Sequence, residues 1–426
     1  MRSWLADTRP LQDPHFRRLW TANIVTVIGA QVTVVAVPAQ IYQLTGSSAY
    51  VGLTGVFGLV PLVVFGLWGG ALADVFDRRT LLVVTTVGLI VTSLLFWLQA
   101  WADLGNVWLL LTLFSVQQAF FAVNQPTRSA VLPRLLPGHL LPAANSLNMT
   151  VMQAGAIGGP LIAGALIPVL GFSWLYLIDT ITLLPTLSAV LALPALPIEG
   201  TAGSLGIGAV VDGFRYLRHQ PVLLMSFVVD IIAMFFGMPR ALFPEIADVA
   251  FGGPDGGGLA FAALFAGIPA GAVLGGVLSG WVSRVERHGL AIIGSILVWG
   301  LAMTGFGVAV ALADNRPDTW QAPMLFLAVL MLMVGGAADM ASAAFRSTML
   351  MTAASDEVRG RLQGVFTVVV VGGPRLADVA HGAAAALVGT AAAAAGGGVL
   401  VVVFTVVAAL AVPSFVRYRV TAAPRS

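Results

Sequence analysis

The sequence predicts an all-α, multi-pass membrane protein with twelve transmembrane helices in two pseudo-symmetric six-helix halves. Three observations predict it. Of 426 residues, 58% are hydrophobic and only 9% charged, where a soluble domain carries about 25% charged residues. The apolar residues fall in long runs, and about 20 of them in a row suffice for a helix to cross the hydrocarbon layer. Short patterns recur in the same order in the first and second parts of the chain.

The apolar runs lie at about 18–44, 49–73, 80–101, 106–128, 140–168, 173–194, 220–245, 258–283, 289–312, 322–346, 361–389 and 397–416, separated by charged or Gly/Pro-rich breaks. Arginines orient them, because basic residues collect on the cytoplasmic side. Arg2, Arg9, Arg17 and Arg18 lie in the N-terminal tail, Arg78, Arg79, Arg128, Arg134, Arg215, Arg218, Arg284, Arg287, Arg346, Arg359 and Arg361 fall in or beside even-numbered turns, and Arg417, Arg419 and Arg425 end the chain. The opposite turns hold Arg316, with Arg240 near one helix end. Both termini are therefore expected in the cytoplasm, and "MRSWLADTRPLQDPHFRRLW" reads as a cytoplasmic tail rather than a signal peptide. The expected division is 1–194 for the first half, 195–219 for a cytoplasmic linker and 220–426 for the second half. Within the linker, "VVDGFRYLRH" has the pattern of a short amphipathic helix lying in the interface.

Composition excludes several classes. There is no cysteine, so thiol chemistry and disulfides are out. A net charge of +2 gives no nucleic-acid footprint. The five histidines are scattered, and no HExxH, GxSxG or P-loop pattern occurs, so neither a metal site, a cofactor nor an enzyme is expected. All 21 basic residues are arginine; with the abundance of Ala, Gly and Val this suggests a GC-rich bacterial genome, and hence a bacterial cytoplasmic (inner) membrane. The expected partners are the lipid bilayer and a small molecule, with the chain acting as a monomer.

"GGALADVFDRRTLL" after the second run is echoed by "GGVLSGWVSRVERH" after the eighth. "NQPTRSAVL" around Arg128 is echoed by "SAAFRSTML" around Arg346, and "GGPLIAG" from Gly158 by "GGPRLAD" from Gly372. An internal duplication of six spans, with a site near the midplane between the copies, is the plan of a rocking secondary transporter. With no ATP-binding domain in the sequence, an ion gradient must drive it.

"GGALADVFDRRTLL" resembles motif A of the major facilitator superfamily, with Gly70, Leu72, Asp74, Arg78 and Arg79 in register, Val75 for the usual Arg and Asp77 for the usual Gly. Glycines there allow close helix approach, and Asp74 is placed to pair with a guanidinium or cap a helix, so the cluster is expected to latch one end of the transporter. "GAIGGPLIAG" resembles motif C of the superfamily's proton-coupled exporters, with Gly155, Gly159, Pro160 and Gly164 in register. Motif B is absent, since Ser115 stands where its Arg would be. Over nearly its whole length the chain is similar to the enterobactin (siderophore) exporter branch, through "FRRLWTANIVTVIGAQVTVVAVPAQIYQLTGSSAYVGL", "DTITLLP", "PRALFPEIAD" and "GRLQGVF". The resemblance implies the major facilitator fold and outward transport of a hydrophobic or catecholate molecule, with protons as the coupling ion. Multidrug exporters share much of the same pattern and are the alternative. A non-transporting membrane sensor or scaffold is the alternative from another class.

Ionisable groups inside membrane spans are the candidate machinery, because an unpaired one costs several kcal/mol. Asp230, near the middle of the seventh span, is the leading proton-coupling candidate, since this fold lines its cavity with helices 1, 4, 7 and 10. Asp339 is a second carrier or a partner of Arg346. Asp179, in the sixth span, reads as structural packing. Arg240, between Pro239 and Pro244, either attracts an anionic substrate or pairs with Glu245 or Asp248. Gln31, Gln40, Gln118, Asn124 and Phe235 are candidate cavity residues. In "GGPRLADVAHG", Arg375 and Asp378 are spaced for an ion pair within one helix at the interface of the halves. Asp378 and His381 are the alternative proton relay.

Overall fold

In a computed structural model, residues 7–194, 215–253, 258–314, 321–353 and 356–419 are described, the side chains of 67–75, 283 and 351–371 excepted. The described residues form twelve long helices and no strand. They are α1 Pro14–Thr45, α2 Ser48–Val75, α3 Arg78–Trp101 and α4 Val107–Leu135. A continuous helical stretch, Leu141–Leu191, is parted at Gly171, whose φ of 74° no other residue type adopts cheaply, into α5 (141–170) and α6 (172–191). There follow α7 Pro221–Gly237, α8 Leu259–Val277, α9 His288–Asp314, α10 Gln321–Ala353, α11 Asp356–Val388 and α12 Thr390–Ala411.

Local chemistry sets the starts. Asp13 Oδ1 accepts from Phe16 N at 2.7 Å ahead of α1. Asp77 caps α3 by accepting from Thr80 N at 2.9 Å, which gives the Asp in the Gly position of motif A a local task. Asn106 Oδ1 caps α4 through Trp108 N and Leu109 N. The surface is apolar where a soluble protein's would be polar: Leu301 and Phe326 are 60% and 71% exposed, whereas Thr33, Ser93 and Asp179 are buried. Side chains that face lipid need no cover from protein, so the helices keep their polar groups inside.

Several boundaries differ from the sequence expectation, among them the end of α4 at Leu135, of α8 at Val277 and of α10 at Ala353. The seventh helix stops at Gly237, and the chain continues through a 3-10 turn Arg240–Leu242, a short helix Phe243–Glu245 and a π turn Ile246–Ala250. α11 begins at Asp356, ahead of 361, and α12 begins at Thr390, ahead of 397, directly after Gly389 at φ 82°. The echo of motif A after α8 is a 3-10 helix, Ser279–Arg284. Residues 195–214, most of the expected linker and interfacial helix, lie outside the described residues.

The chain divides into two compact units: Met1–Leu44 with Phe57–Gly206, and Thr45–Val56 with Ile207–Ser426. The first two turns of α2 thus belong with the second half. In unit 1, α3 packs on α4 and on the Leu141–Leu191 stretch, and α5 meets α1 through glycines, Gly155 against Val27 and Gly159 against Gln31. In unit 2, α9 packs on α10 and α12, α8 on α10, and α7 on α11 and α12. Gly271 abuts the Met333 carbonyl and Gly336 that of Ile268. Small residues that let backbones approach are how helices associate where lipid removes the usual hydrophobic drive.

Candidate functional site

A cluster of buried charge in unit 2 lies between α7 and α10. Asp230 projects from α7 and is 2% exposed. Arg346, on α10 and 6% exposed, pairs through Nη1 with Asp230 Oδ1, and its Nη2 stands 3.9 Å from Asp339 Oδ1. Asp339 and Arg346 are two helical turns apart, so they share one face of α10. Asp339 is 31% exposed and more loosely held than Asp230. Ser342, between them on α10, keeps its Oγ buried. Asp230 Oδ2 accepts no protein hydrogen bond, and a small cavity lined by Ser226, Phe227, Asp230, Arg346 and Leu350 lies beside it. Two carboxylates and one guanidinium leave one negative charge, which a single proton neutralises.

A second charged cluster forms where the segment after α7 meets α11. Arg240 Nη2 lies 3.6 Å from Asp378 Oδ2, whose side chain is 7% exposed. Arg240 thus pairs with Asp378; Glu245, one of the partners expected for it, instead accepts from both Oγ and N of Ser48, on the first turn of α2. Arg375, one turn before Asp378, is within its electrostatic reach. His381 is buried and shares a hydrogen bond of 3.1 Å between Nδ1 and Ala377 O, within its own helix. The α2 turns fit closely here: a Cβ on Gly52 would stand 2.6 Å from Asp378 O, and Gly55 abuts Arg375 O. Phe235 packs edge-on against Phe236, with ring centroids 4.8 Å apart.

In unit 1 several candidate cavity residues are engaged within the helix packing. Gln40 Oε1 accepts from Tyr176 Oη at 2.8 Å and from Gln99 Nε2 at 3.1 Å, tying α1, α3 and α6. Asn124 Nδ2 donates to Thr85 Oγ1 at 2.8 Å, tying α4 to α3. Gln118 is buried, and the Gln31 backbone and Cβ pack on Gly159. Of the motif A residues, Arg78 donates to Ala130 O at 3.1 Å and Arg79 to Leu191 O at 2.7 Å, so both cap carbonyls inside unit 1. The packing around Gly70 and the side chain of Asp74 lie outside what is described. Motif C is a packing face: Gly155, Gly159 and Pro160 are buried, with Gly164.

Sequence reasoning singled out Asp230 and Asp339 separately and missed that one arginine serves both; helix spacing relates residues within a helix, and this contact joins two. It also missed the hydroxyls Thr33 and Ser93, which hydrogen-bond Asp179. Their only signal is that they are polar residues on otherwise apolar spans.

Residues 5–422 match the family described as transmembrane secretion effector. The chain is 26% identical over 381 residues to the enterobactin exporter EntS of Shigella dysenteriae serotype 1 (strain Sd197), covering 87% of this chain and 86% of that one. The same identity and coverage hold for EntS of Escherichia coli O1:K1 / APEC. Among solved structures, the nucleoside transporter NupG superposes with a TM-score of 0.70 at 14% identity, over 95% of this chain and 100% of that one. A bacterial homolog to the human lysosomal transporter Spinster, inward-facing and unoccupied, gives 0.70 at 16% identity, over 98% and 100%. These likenesses carry the fold: twelve helices in the arrangement of the major facilitator transporters. By the match of nearly its entire length, the chain belongs to the transmembrane secretion effector family of the major facilitator superfamily.

Proposed function

We propose that the protein is a proton-coupled exporter of the bacterial cytoplasmic membrane, moving a siderophore or similar amphipathic small molecule outward as protons move inward. The observation that carries the coupling is the Asp230–Arg346–Asp339 triad. With both carboxylates ionised it holds one uncompensated negative charge in a region where such a charge costs several kcal/mol. One proton from the outer side makes it neutral. Asp230, in close contact with Arg346, is the better-satisfied carboxylate; Asp339, at 3.9 Å, is the one free to take the proton. Because the groups interact, the proton belongs to the triad as a unit. In the proposed cycle, protonation favours one arrangement of the two halves, and release to the cytoplasm as substrate binds favours the other, by a rocker-switch exchange of access. Both termini then lie in the cytoplasm, as the arginine distribution favours.

The substrate class rests on the relatives named enterobactin exporter. It is tested with right-side-out vesicles loaded with enterobactin or with a cationic dye, under an inward proton gradient. Enterobactin efflux that collapses with the gradient is expected. Efflux of the dye alone makes the protein a multidrug exporter and overturns the siderophore assignment.

A further inference from the structure

Unit 1 has its own buried acid. Asp179, on α6, is 1% exposed. Its Oδ2 accepts from Thr33 Oγ1 on α1 at 2.7 Å and from Ser93 Oγ on α3 at 2.8 Å. Its Oδ1 is buried without a hydrogen-bond partner and points at Gly29, on which a Cβ would stand 2.9 Å from it. Among the described residues no cationic side chain pairs with it; its electrostatic surroundings are the two hydroxyls. α1 and α3 thus present Gly29, Thr33 and Ser93 to it, none charged, and the titratable group facing it is the Tyr176 phenol on its own helix.

We infer that Asp179 is a second proton-binding site, lodged in unit 1 and separate from the Asp230–Arg346–Asp339 triad. An isolated carboxylate sealed among apolar helices with no countercharge is far costlier than a neutral acid, so the group binds a proton instead of a partner. Further hydrogen-bonded polar groups lie along α1 on either side of it. Thr26 Oγ1 bonds Thr186 Oγ1 at 2.6 Å and donates to Thr182 O at 2.7 Å. Ser93 and Thr33 follow at the carboxyl, and the Tyr176 hydroxyl meets Gln40 beyond it. From Thr26 to Gln40 these polar groups are spread over about 21 Å of α1. Tight packing at Gly29 favours a bare proton over a metal cation.

Infrared difference spectroscopy of the full chain in phosphatidylethanolamine/phosphatidylglycerol vesicles, between mildly acidic and mildly alkaline buffer, tests this without any substrate. The expected result is a protonated-carboxyl C=O band that titrates. It is lost in Asp179→Asn, kept in Asp339→Asn, and moved to higher frequency in Ser93→Ala, which removes a hydroxyl from the carboxyl. Ser93→Ala carries the test if Asp179→Asn does not fold. Three results overturn the inference: a spectrum unchanged by Asp179→Asn and Ser93→Ala, an Asp179 band that does not change across the pH range, or one that responds to NaCl at fixed pH. The first places no bound proton at Asp179, the second a fixed structural acid, and the third a metal cation.

Discussion

Asp230 on α7 and Arg346 on α10 form an ion pair with side chains only 2% and 6% exposed. A buried pair is weak evidence for stability, because desolvation offsets much of its attraction. Its consequence is asymmetry. Removing one partner strands the other's charge in a low-dielectric core, and here the stranded charge would be doubled, since Arg346 also faces Asp339.

Arg346→Gln should therefore destabilise the protein by about 3–5 kcal/mol. It leaves the buried Asp230 and the half-buried Asp339 without their shared cation, so that protonation is favoured in the folded state. The folded state then binds more protons than the unfolded one, and stability falls as pH rises. Melting temperatures of the detergent-solubilised variant should drop from acidic to alkaline buffer more steeply than those of the unaltered chain. Adding Asp230→Asn to Arg346→Gln should recover part of the loss. A pH-independent deficit would contradict the charge accounting.

Gly52→Val should strike the contact between the first turns of α2 and α11, where backbone atoms of Asp378 and Gly382 leave no room for a side chain. Overpacking of this kind costs about 1–3 kcal/mol. A lower melting temperature and slower efflux are expected, with Gly66→Val, at a position with open space, as the silent control.

Gln40→Leu should strand the Gln99 amide and the Tyr176 hydroxyl, which both donate to Gln40. Each buried group left unmatched costs about 1–3 kcal/mol. Thermal unfolding should show this loss, and the double change Gln40→Leu with Gln99→Leu should be less damaging than the two single changes summed.

The helix count was legible because arginines and prolines punctuate apolar runs at membrane-spanning length. Even the join between α5 and α6 was marked, since the expected gap at 169–172 contains Gly171. Boundaries failed where nothing polar marks them: "GTAAAAAGGG" reads as one small-residue stretch, and only the positive φ of Gly389 shows where α12 begins. The seventh span was expected to run to 245, across Pro239 and Pro244, but the helix stops at Gly237. The site was half legible. Asp230, Asp339 and Asp378 stand out as charges in apolar sequence, yet which cation answers each is a tertiary fact. Arg375 and Asp378, three residues apart, could be related in the sequence, but the contact of Asp378 with Arg240 across the chain could not. Asp179 reads as packing in the sequence because its helix is expected at the periphery, and its hydroxyl neighbours on two other helices are not visible there.

In the proposed cycle the Asp230–Arg346–Asp339 triad carries the coupling proton. The most direct test is proton entry into right-side-out vesicles loaded with enterobactin, followed with an internal pH dye in the unaltered chain and in Asp339→Asn, which leaves Asp230 and Arg346 as a neutral pair. Substrate-dependent acidification in the unaltered chain, abolished in Asp339→Asn while enterobactin binding persists, is the predicted result. Undiminished acidification in Asp339→Asn would contradict it.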